Sequence, residues 1–132
     1  MVDDYPVVAF LAKIEHGCLL LEDAGSDDDI SDWDPAASSW YQDGSSIIFS
    51  VRPSIVGPVE CEVWKSTPRT ALPSALFETL LPCPSGRLVL HDPNNHARMQ
   101  FRGFRGSVIC LVMADDPQFP SKVQILLREQ EG

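Results

Sequence analysis

The sequence predicts an all-β fold, an antiparallel β-sandwich of about eight or nine short strands with one short helix. Eleven prolines and eight glycines interrupt the 132 residues, and this spacing leaves no room for a long helix. Between these breaks lie short segments rich in Val, Ile, Leu and Phe, several of which alternate with polar residues as half-buried strands do. A chain of this length is predicted to form one domain, residues 1–132.

The predicted strands follow one another along the chain at these apolar segments. Val59–Trp64 alternates most clearly, because Val59, Cys61 and Val63 fall on one face of an extended chain. The predicted set is Val7–Ile14, Cys18–Leu21, Ser46–Val51, Val59–Trp64, Leu76–Leu81, Arg87–Leu90, Arg98–Phe101, Ser107–Met113 and Lys122–Leu127.

One short helix is predicted at Pro35–Gln42. Asp34 is a favourable N-cap residue, Pro35 suits the first helical position, and Gly44 follows shortly after the end. We expect this helix to bring its two aromatic residues near the C-terminal end, Trp40 and Tyr41, close to the sheet.

Charge is distributed very unevenly along the chain. Residues 1–51 hold 11 acidic side chains and one basic one, whereas residues 52–132 hold 8 acidic and 9 basic ones, so the two parts carry −10 and +1. The densest block contains no cation and comprises Glu22, Asp23, Asp27, Asp28, Asp29, Asp32 and Asp34. Because such a block repels itself, it predicts a surface loop that faces a basic partner, a metal ion or only salt water.

The composition argues against several classes of partner and location. A net charge of −9 disfavours binding to nucleic acid or to an anionic membrane, since both attract clustered Lys and Arg. The apolar runs are too short for a membrane-spanning helix, and the N-terminal Met-Val-Asp-Asp lacks the features of a secretion signal, so a cytoplasmic location is expected. The cysteines have no C-x-x-C spacing and are expected to be reduced, buried thiols: Cys18, Cys61, Cys83 and Cys110.

The acidic run also allows a calcium-binding interpretation. An EF-hand loop needs Gly at its sixth position, but registers that start at Asp23 or Asp27 place Asp28 or Asp32 there. A β-sandwich can instead gather aspartates from several loops, and the remote loop with Asp115 and Asp116 could contribute to such a site. A calcium site and a solvated loop without a ligand both stay open as alternatives.

The segment His91–His96 places two imidazoles and the carboxylate of Asp92 in one loop, which metal sites and acid–base catalysis both use. Its Asp-Pro-Asn-Asn core is also strong turn chemistry, and a turn is the favoured interpretation. No motif in the chain identifies an enzyme, so we predict a protein without catalytic residues, resident metal or cofactor.

Three arginines, Arg98, Arg102 and Arg105, lie in and beside the segment Phe101–Gly106. They are too few to form a phosphate-binding stripe in a chain of this net charge. We expect them to pair with the acidic half of the chain or to shield a sheet edge.

Trp33 lies within the acidic block, between Asp32 and Asp34, where a core aromatic is least expected. An aromatic surrounded by carboxylates suits a binding anchor. A contact that places Trp33 on the sheet explains its position equally well.

The segment 32–49 resembles the competence protein J family. The shared features are, in order, Asp32-Trp33, a short helical stretch, the aromatic Tyr41 and the run Asp43–Phe49. Arg98–Met113 is similar to the C-terminal half of the family, so the resemblance spans most of residues 16–116. Members are small acidic proteins that inhibit a DNA-entry nuclease, and the resemblance therefore implies a nuclease as partner.

Charge and resemblance lead to one hypothesis. The protein is predicted to bind a basic protein, in particular a nuclease, and to inhibit it through an acidic loop that stands where DNA phosphates would. The predicted charged contacts are Asp27, Asp28, Asp29, Asp32 and Asp34, with Trp33 as the anchor. A calcium-binding β-sandwich that uses the same loop is the alternative.

Overall fold

The computed structural model describes residues 5–68 and 70–130, and within these ranges the chain forms ten strands and no helix. The strands are β1 (Val8–Ala12), β2 (Cys18–Asp23), β3 (Trp40–Asp43), β4 (Ser46–Ser50), β5 (Val59–Trp64), β6 (Ser74–Cys83), β7 (Arg87–His91), β8 (Arg98–Arg102), β9 (Gly106–Ala114) and β10 (Lys122–Glu129). All nine predicted strands are present, eight of them with shifted ends, and the all-β prediction is confirmed.

The ten strands form two five-stranded sheets. The first sheet has the order β1-β5-β10-β9-β6 and the second has the order β3-β4-β2-β7-β8. Of the eight strand pairings among the described residues, seven are antiparallel, but β5 and β10 are parallel. The prediction of an entirely antiparallel sandwich is wrong at this pair. A parallel pair needs a long connection, and the chain from Trp64 to Lys122 supplies one.

The core lies between the two sheets, where the alternating strands place their apolar faces. Val59, Cys61 and Val63 of β5 are all fully buried, as their spacing predicted. Two aromatic contacts join the sheets: Phe77 of β6 packs against Phe49 of β4, with ring centroids 5.8 Å apart, and against Trp40 of β3. The four cysteines are free and buried, in agreement with the prediction.

The predicted helix at Pro35–Gln42 is wrong. Asp34 does cap a turn, because its carboxylate accepts a hydrogen bond from the Ala36 amide at 3.0 Å. The turn ends after residue 37, however, and the chain then becomes strand β3. No helix in the described parts of the chain has the length and hydropathy needed to cross a membrane.

Tertiary contacts explain why β3 replaces the helix. The ring of Trp40 stacks on that of Phe77, with centroids 4.3 Å apart and planes 6° from parallel. The strand also pairs with β4 through a tight turn at Gly44 and Ser45, in which Gly44 has a φ of +54°. Glycine adopts such an angle without strain, as the first position of a two-residue hairpin turn requires. Pairing and aromatic burial outweigh the local helix preference of the segment.

Candidate partner-binding surface

The acidic loop, residues 24–39, joins β2 to β3 and has two distinct sides. Its inner side faces the second sheet with side chains that are partly buried: Ser26, Asp28, Ile30 and Trp33. The outer side carries four exposed aspartates, which we call the outer row: Asp27, Asp29, Asp32 and Asp34. The structure therefore exposes four of the five predicted aspartates and partly buries the fifth, Asp28.

Apolar contacts hold the loop against the outer face of the second sheet. Ile30 and Trp33 pack, with Tyr41, on a small buried cluster formed by Cys18, Leu20 and Ile48. The indole nitrogen of Trp33 donates a hydrogen bond to the Ser38 carbonyl at 3.0 Å. The sheet contact of Trp33, one of its two interpretations, is thus present, and the side chain keeps part of its surface exposed.

Asp28 fastens the loop to the β3–β4 turn. One of its carboxylate oxygens accepts hydrogen bonds from the Ser45 amide, the Ser45 hydroxyl and the Ser26 hydroxyl, each at 2.9 Å. The Ser45 amide, followed by the two hydroxyls, lowers the pKa of Asp28. The carboxylate lies so close to Gly44 that a β-carbon there would be 2.8 Å from it. A side chain at position 44 would therefore displace the Asp28 carboxylate, and the backbone angle favours glycine there as well.

The outer row is not neutralised by the rest of the described structure. Asp29 and Asp34 accept one backbone hydrogen bond each, from Ser31 and Ala36, which shapes local turns. Asp27 and Asp32 accept no hydrogen bond from any described residue. None of the aspartates of the loop forms a salt bridge with a residue in 5–68 or 70–130, where the ion pairs are Glu22–His91 and Glu60–Lys122.

Asp23 anchors the beginning of the loop at the end of β2. Its side chain is 3% exposed and accepts hydrogen bonds from the Gly25 amide and from the amide and hydroxyl of Ser85. Burial acts to raise the pKa of Asp23, but the bonds from Ser85 and Gly25 outweigh it and keep the pKa below its ordinary value. This carboxylate is therefore structural.

Glu22 and His91 form an ion pair on the same face of the sheet. The Nε2 atom of His91 lies 2.7 Å from a Glu22 carboxylate oxygen, and its Nδ1 lies 2.9 Å from the Asp92 carbonyl oxygen. Both neighbours accept hydrogen bonds, so the doubly protonated imidazolium satisfies both. The contact with Glu22 raises the pKa of His91, and the hydrogen bond from His91 lowers the pKa of Glu22.

The segment His91–His96 is a structural turn, as favoured from the sequence. Asp92 is buried and accepts a hydrogen bond from the Ala97 amide at 2.8 Å, while Asn95 adopts a left-handed φ of 56°. His91 is hydrogen-bonded to Glu22, whereas His96 is exposed. The two imidazoles thus have separate environments, and no shared acid–base site forms between them.

The described residues give no support to a metal site in the acidic loop. In 5–68 and 70–130, no three His, Cys, Asp or Glu side chains lie close enough together to hold a metal ion.

Two solved structures align with the chain from end to end. ComJ from Bacillus subtilis, an inhibitor of the DNA-degrading activity of NucA, aligns over 98% of this chain and 99% of its own, with a TM-score of 0.68 and 9% sequence identity. The chain has the ComJ fold. The protein of crocagin biosynthetic gene J aligns over 99% of this chain and 100% of its own, with a TM-score of 0.54 and 17% identity. No protein-family model and no curated protein sequence matches the chain.

The resemblance to the competence protein J family is therefore confirmed at the level of the fold. Sequence identities of 9% and 17% do not carry individual side chains from ComJ or its counterpart to this chain. The roles of the loop residues rest on the contacts described above.

The sequence-based prediction missed the residues that support the loop. Ser26, Ile30 and Ser45 were not recognised, because the run Ser26-Asp-Asp-Asp-Ile30 does not show which of its side chains face the sheet. No local sequence pattern indicates the Glu22–His91 pair, because its two residues are 69 positions apart in the chain.

The Glu22–His91 pair predicts a stability that depends on pH. The Glu22 contribution is complete above its ordinary pKa of 4.5 and is lost as the pH falls through its lower folded pKa. The His91 contribution is complete below its ordinary pKa of 6.5 and is lost as the pH rises through its higher folded pKa. We expect the free energy of unfolding, measured with urea, to decline above pH 6.5 more in the wild type than in His91→Gln. Equal declines in the two proteins would contradict the pairing.

Adjacent aspartates provide a matched test of how the loop is held. Asp28→Ala and Asp27→Ala remove the same charge, but only Asp28 accepts the two hydrogen bonds from Ser45 that join the loop to the turn. We expect Asp28→Ala to lower the melting temperature because it leaves the Ser45 amide without its partner. Asp27→Ala should leave the melting temperature unchanged or raise it slightly, since it relieves repulsion. Equal melting temperatures for the two variants would show that Asp28 does not hold the loop.

Proposed function

We propose that this protein binds a nuclease and inhibits it by placing the outer row of the acidic loop in the cationic cleft that receives DNA. The observation that carries the proposal is the outer row itself: four exposed carboxylates, without a described counter-ion, fixed on a sheet of the ComJ fold. The inhibitory role of ComJ supports a binding function of this kind and not a catalytic one.

The physical basis of the proposal is electrostatic complementarity. A nuclease cleft that binds a polyanion is lined with cations, and carboxylates attract the same cations that phosphates do. Concentrated negative charge also steers a basic partner toward the loop, and such steering raises association rates by about 10- to 1000-fold at low salt. A net charge of −9 adds to this attraction at long range.

The loop residues take different roles in this proposal. Asp27 and Asp32 are the primary contacts, because they are exposed and accept no described hydrogen bond. Asp29 and Asp34 contribute charge while each also shapes a turn. Asp28 acts from beneath as a positioning residue.

Trp33 completes the surface at the base of the outer row. Its inner edge packs on the sheet and its exposed part adjoins Asp32 and Asp34 in the chain. A large aromatic that is already ordered loses little conformational freedom when a partner covers it, so it suits an anchor.

Two charge-matched double variants test the proposal. Asp27→Asn with Asp32→Asn removes two carboxylates from the outer row, whereas Glu78→Gln with Glu129→Gln removes two exposed carboxylates from strands β6 and β10 of the first sheet. We expect the first pair to weaken inhibition of DNA degradation by about tenfold or more, and the second pair to change it little. The assay follows cleavage of plasmid DNA by NucA and by nuclease activity in an extract of the host organism.

Three results would contradict the proposal. In the first, the wild-type protein inhibits neither NucA nor the nuclease activity of the extract, which would exclude inhibition. In the second, the two double variants weaken inhibition equally, which would assign the effect to net charge alone. In the third, the outer-row variant inhibits as well as the wild type, which would place the binding surface elsewhere.

A further inference from the structure

Three arginines converge at one corner of the second sheet. Arg87 begins β7, Arg102 ends β8, and Arg105 follows in the β8–β9 loop. Together with Ser85, Gly86 and Gly103 they line a concave site of about 330 Å³, which we call the arginine corner. The sequence-based expectation was that arginines of this region pair with the acidic half of the chain or shield a sheet edge. Arg102 does lie on β8, an edge strand of its sheet.

The described residues place cations at the arginine corner but no counter-ion. Arg87 and Arg102 are direct cross-strand partners in the β7–β8 ladder. Like charges in this arrangement destabilise a sheet, because their β-carbons lie only about 4.5–5.5 Å apart. Neither residue, nor Arg105, forms a salt bridge with a carboxylate of the described chain, where the only ion pairs are those of Glu22 and Glu60.

The other end of the same ladder provides a contrast. There His91 and Arg98 are also direct cross-strand partners, but a Glu22 carboxylate oxygen lies 2.7 Å from His91. His91 and, to a smaller extent, Arg98 lower the pKa of Glu22. At one end of the ladder the carboxylate of Glu22 balances the cations. At the arginine corner no described carboxylate does so, and an anion from solution could take that place.

Backbone contacts fix the shape of the arginine corner. The Gly103 amide donates a hydrogen bond to the Gly86 carbonyl at 3.0 Å, which joins the β8–β9 loop to the β6–β7 turn. Gly86 has a φ of +75°, and a β-carbon there would be 3.6 Å from the β-carbon of Arg105, so the arginine stem lies directly over this turn. The hydroxyl of Ser85 is bound to Asp23, which holds the remaining wall.

We propose that the arginine corner is a binding site for a single phosphate group. The planar guanidinium donates paired N–H bonds that match the oxygens of phosphate, and three arginines line this one concave site. Binding would replace the repulsion between Arg87 and Arg102 with two attractive contacts. This site is separate from the outer row and does not depend on nuclease binding.

Its surroundings favour a small phosphate compound over a nucleic acid strand. The acidic loop starts at the same corner, since the Ala24 amide donates to the Arg87 carbonyl at 2.9 Å and Asp23 accepts from Ser85. A strand that entered the corner would meet the aspartates of that loop, and the net charge of −9 opposes a long polyanion further. A phosphate ion or a mononucleotide avoids most of this repulsion.

Melting temperatures in matched buffers test this proposal. The wild type, Arg102→Gln and Arg98→Gln are each melted in chloride and in inorganic phosphate at equal ionic strength and pH, since a bound ligand stabilises the folded state. We expect phosphate to raise the melting temperature of the wild type and of Arg98→Gln, and titration calorimetry to show phosphate binding about tenfold weaker in Arg102→Gln. In chloride, Arg102→Gln should melt no lower than the wild type, because the substitution removes a like-charge pair.

Adenosine monophosphate and a single-stranded DNA of about 20 nucleotides serve as further probes. Binding of phosphate alone, or of the mononucleotide as well, supports the site and distinguishes a free ion from a phosphate ester. A wild type that melts identically in phosphate and chloride overturns the proposal. An equal phosphate-dependent rise in the melting temperature of Arg102→Gln also overturns it, as does binding of the DNA without binding of either small compound.

Discussion

The attachment of a self-repelling loop to the outer face of a sheet is the constraint on which the charged surface depends. Five aspartates without a cation favour an expanded chain, so the loop stays folded only if its inner side is held. Ile30 and Trp33 supply apolar contact with the sheet, and Asp28 accepts three hydrogen bonds from Ser26 and Ser45. Asp28 is partly buried by these contacts, while Asp27, Asp29, Asp32 and Asp34 stay exposed. The exposed charge of the loop therefore depends on how the loop is fastened to the sheet.

The second sheet organises charge of both signs around this loop. On its outer face, the Glu22–His91 pair balances one end of the β7–β8 ladder, while Arg87 and Arg102 leave the other end unbalanced. The first sheet contributes the other wall of the core, because its strands carry Phe77 and the buried face of β5. The buried cluster between the sheets is apolar, and both the acidic loop and the arginine corner adjoin the second sheet.

The strands could be predicted from sequence because their signal is local. Val59–Trp64 alternates over six residues between breaks, and the structure gives it the same bounds. β3 could not be found in this way, since Asp34 and Pro35 form a good helix start and the contact that overrides it, Trp40 with Phe77, spans 37 residues of chain. The Asp-Gly-Ser turn after β3 was the available signal of a hairpin. The parallel β5–β10 pair, the two sides of the loop and the arginine corner likewise depend on contacts between distant segments, which a pattern of nearby residues does not contain.

The association rate with a nuclease that the protein inhibits measures the central claim most directly. If the outer row guides and makes the contact, the rate constant for the wild type falls by about 10-fold or more as ionic strength rises from low to physiological values. The slope of that dependence should be clearly shallower for Asp27→Asn with Asp32→Asn and nearly unchanged for Glu78→Gln with Glu129→Gln. A rate constant indifferent to salt, or the same slope in all three proteins, would contradict the account.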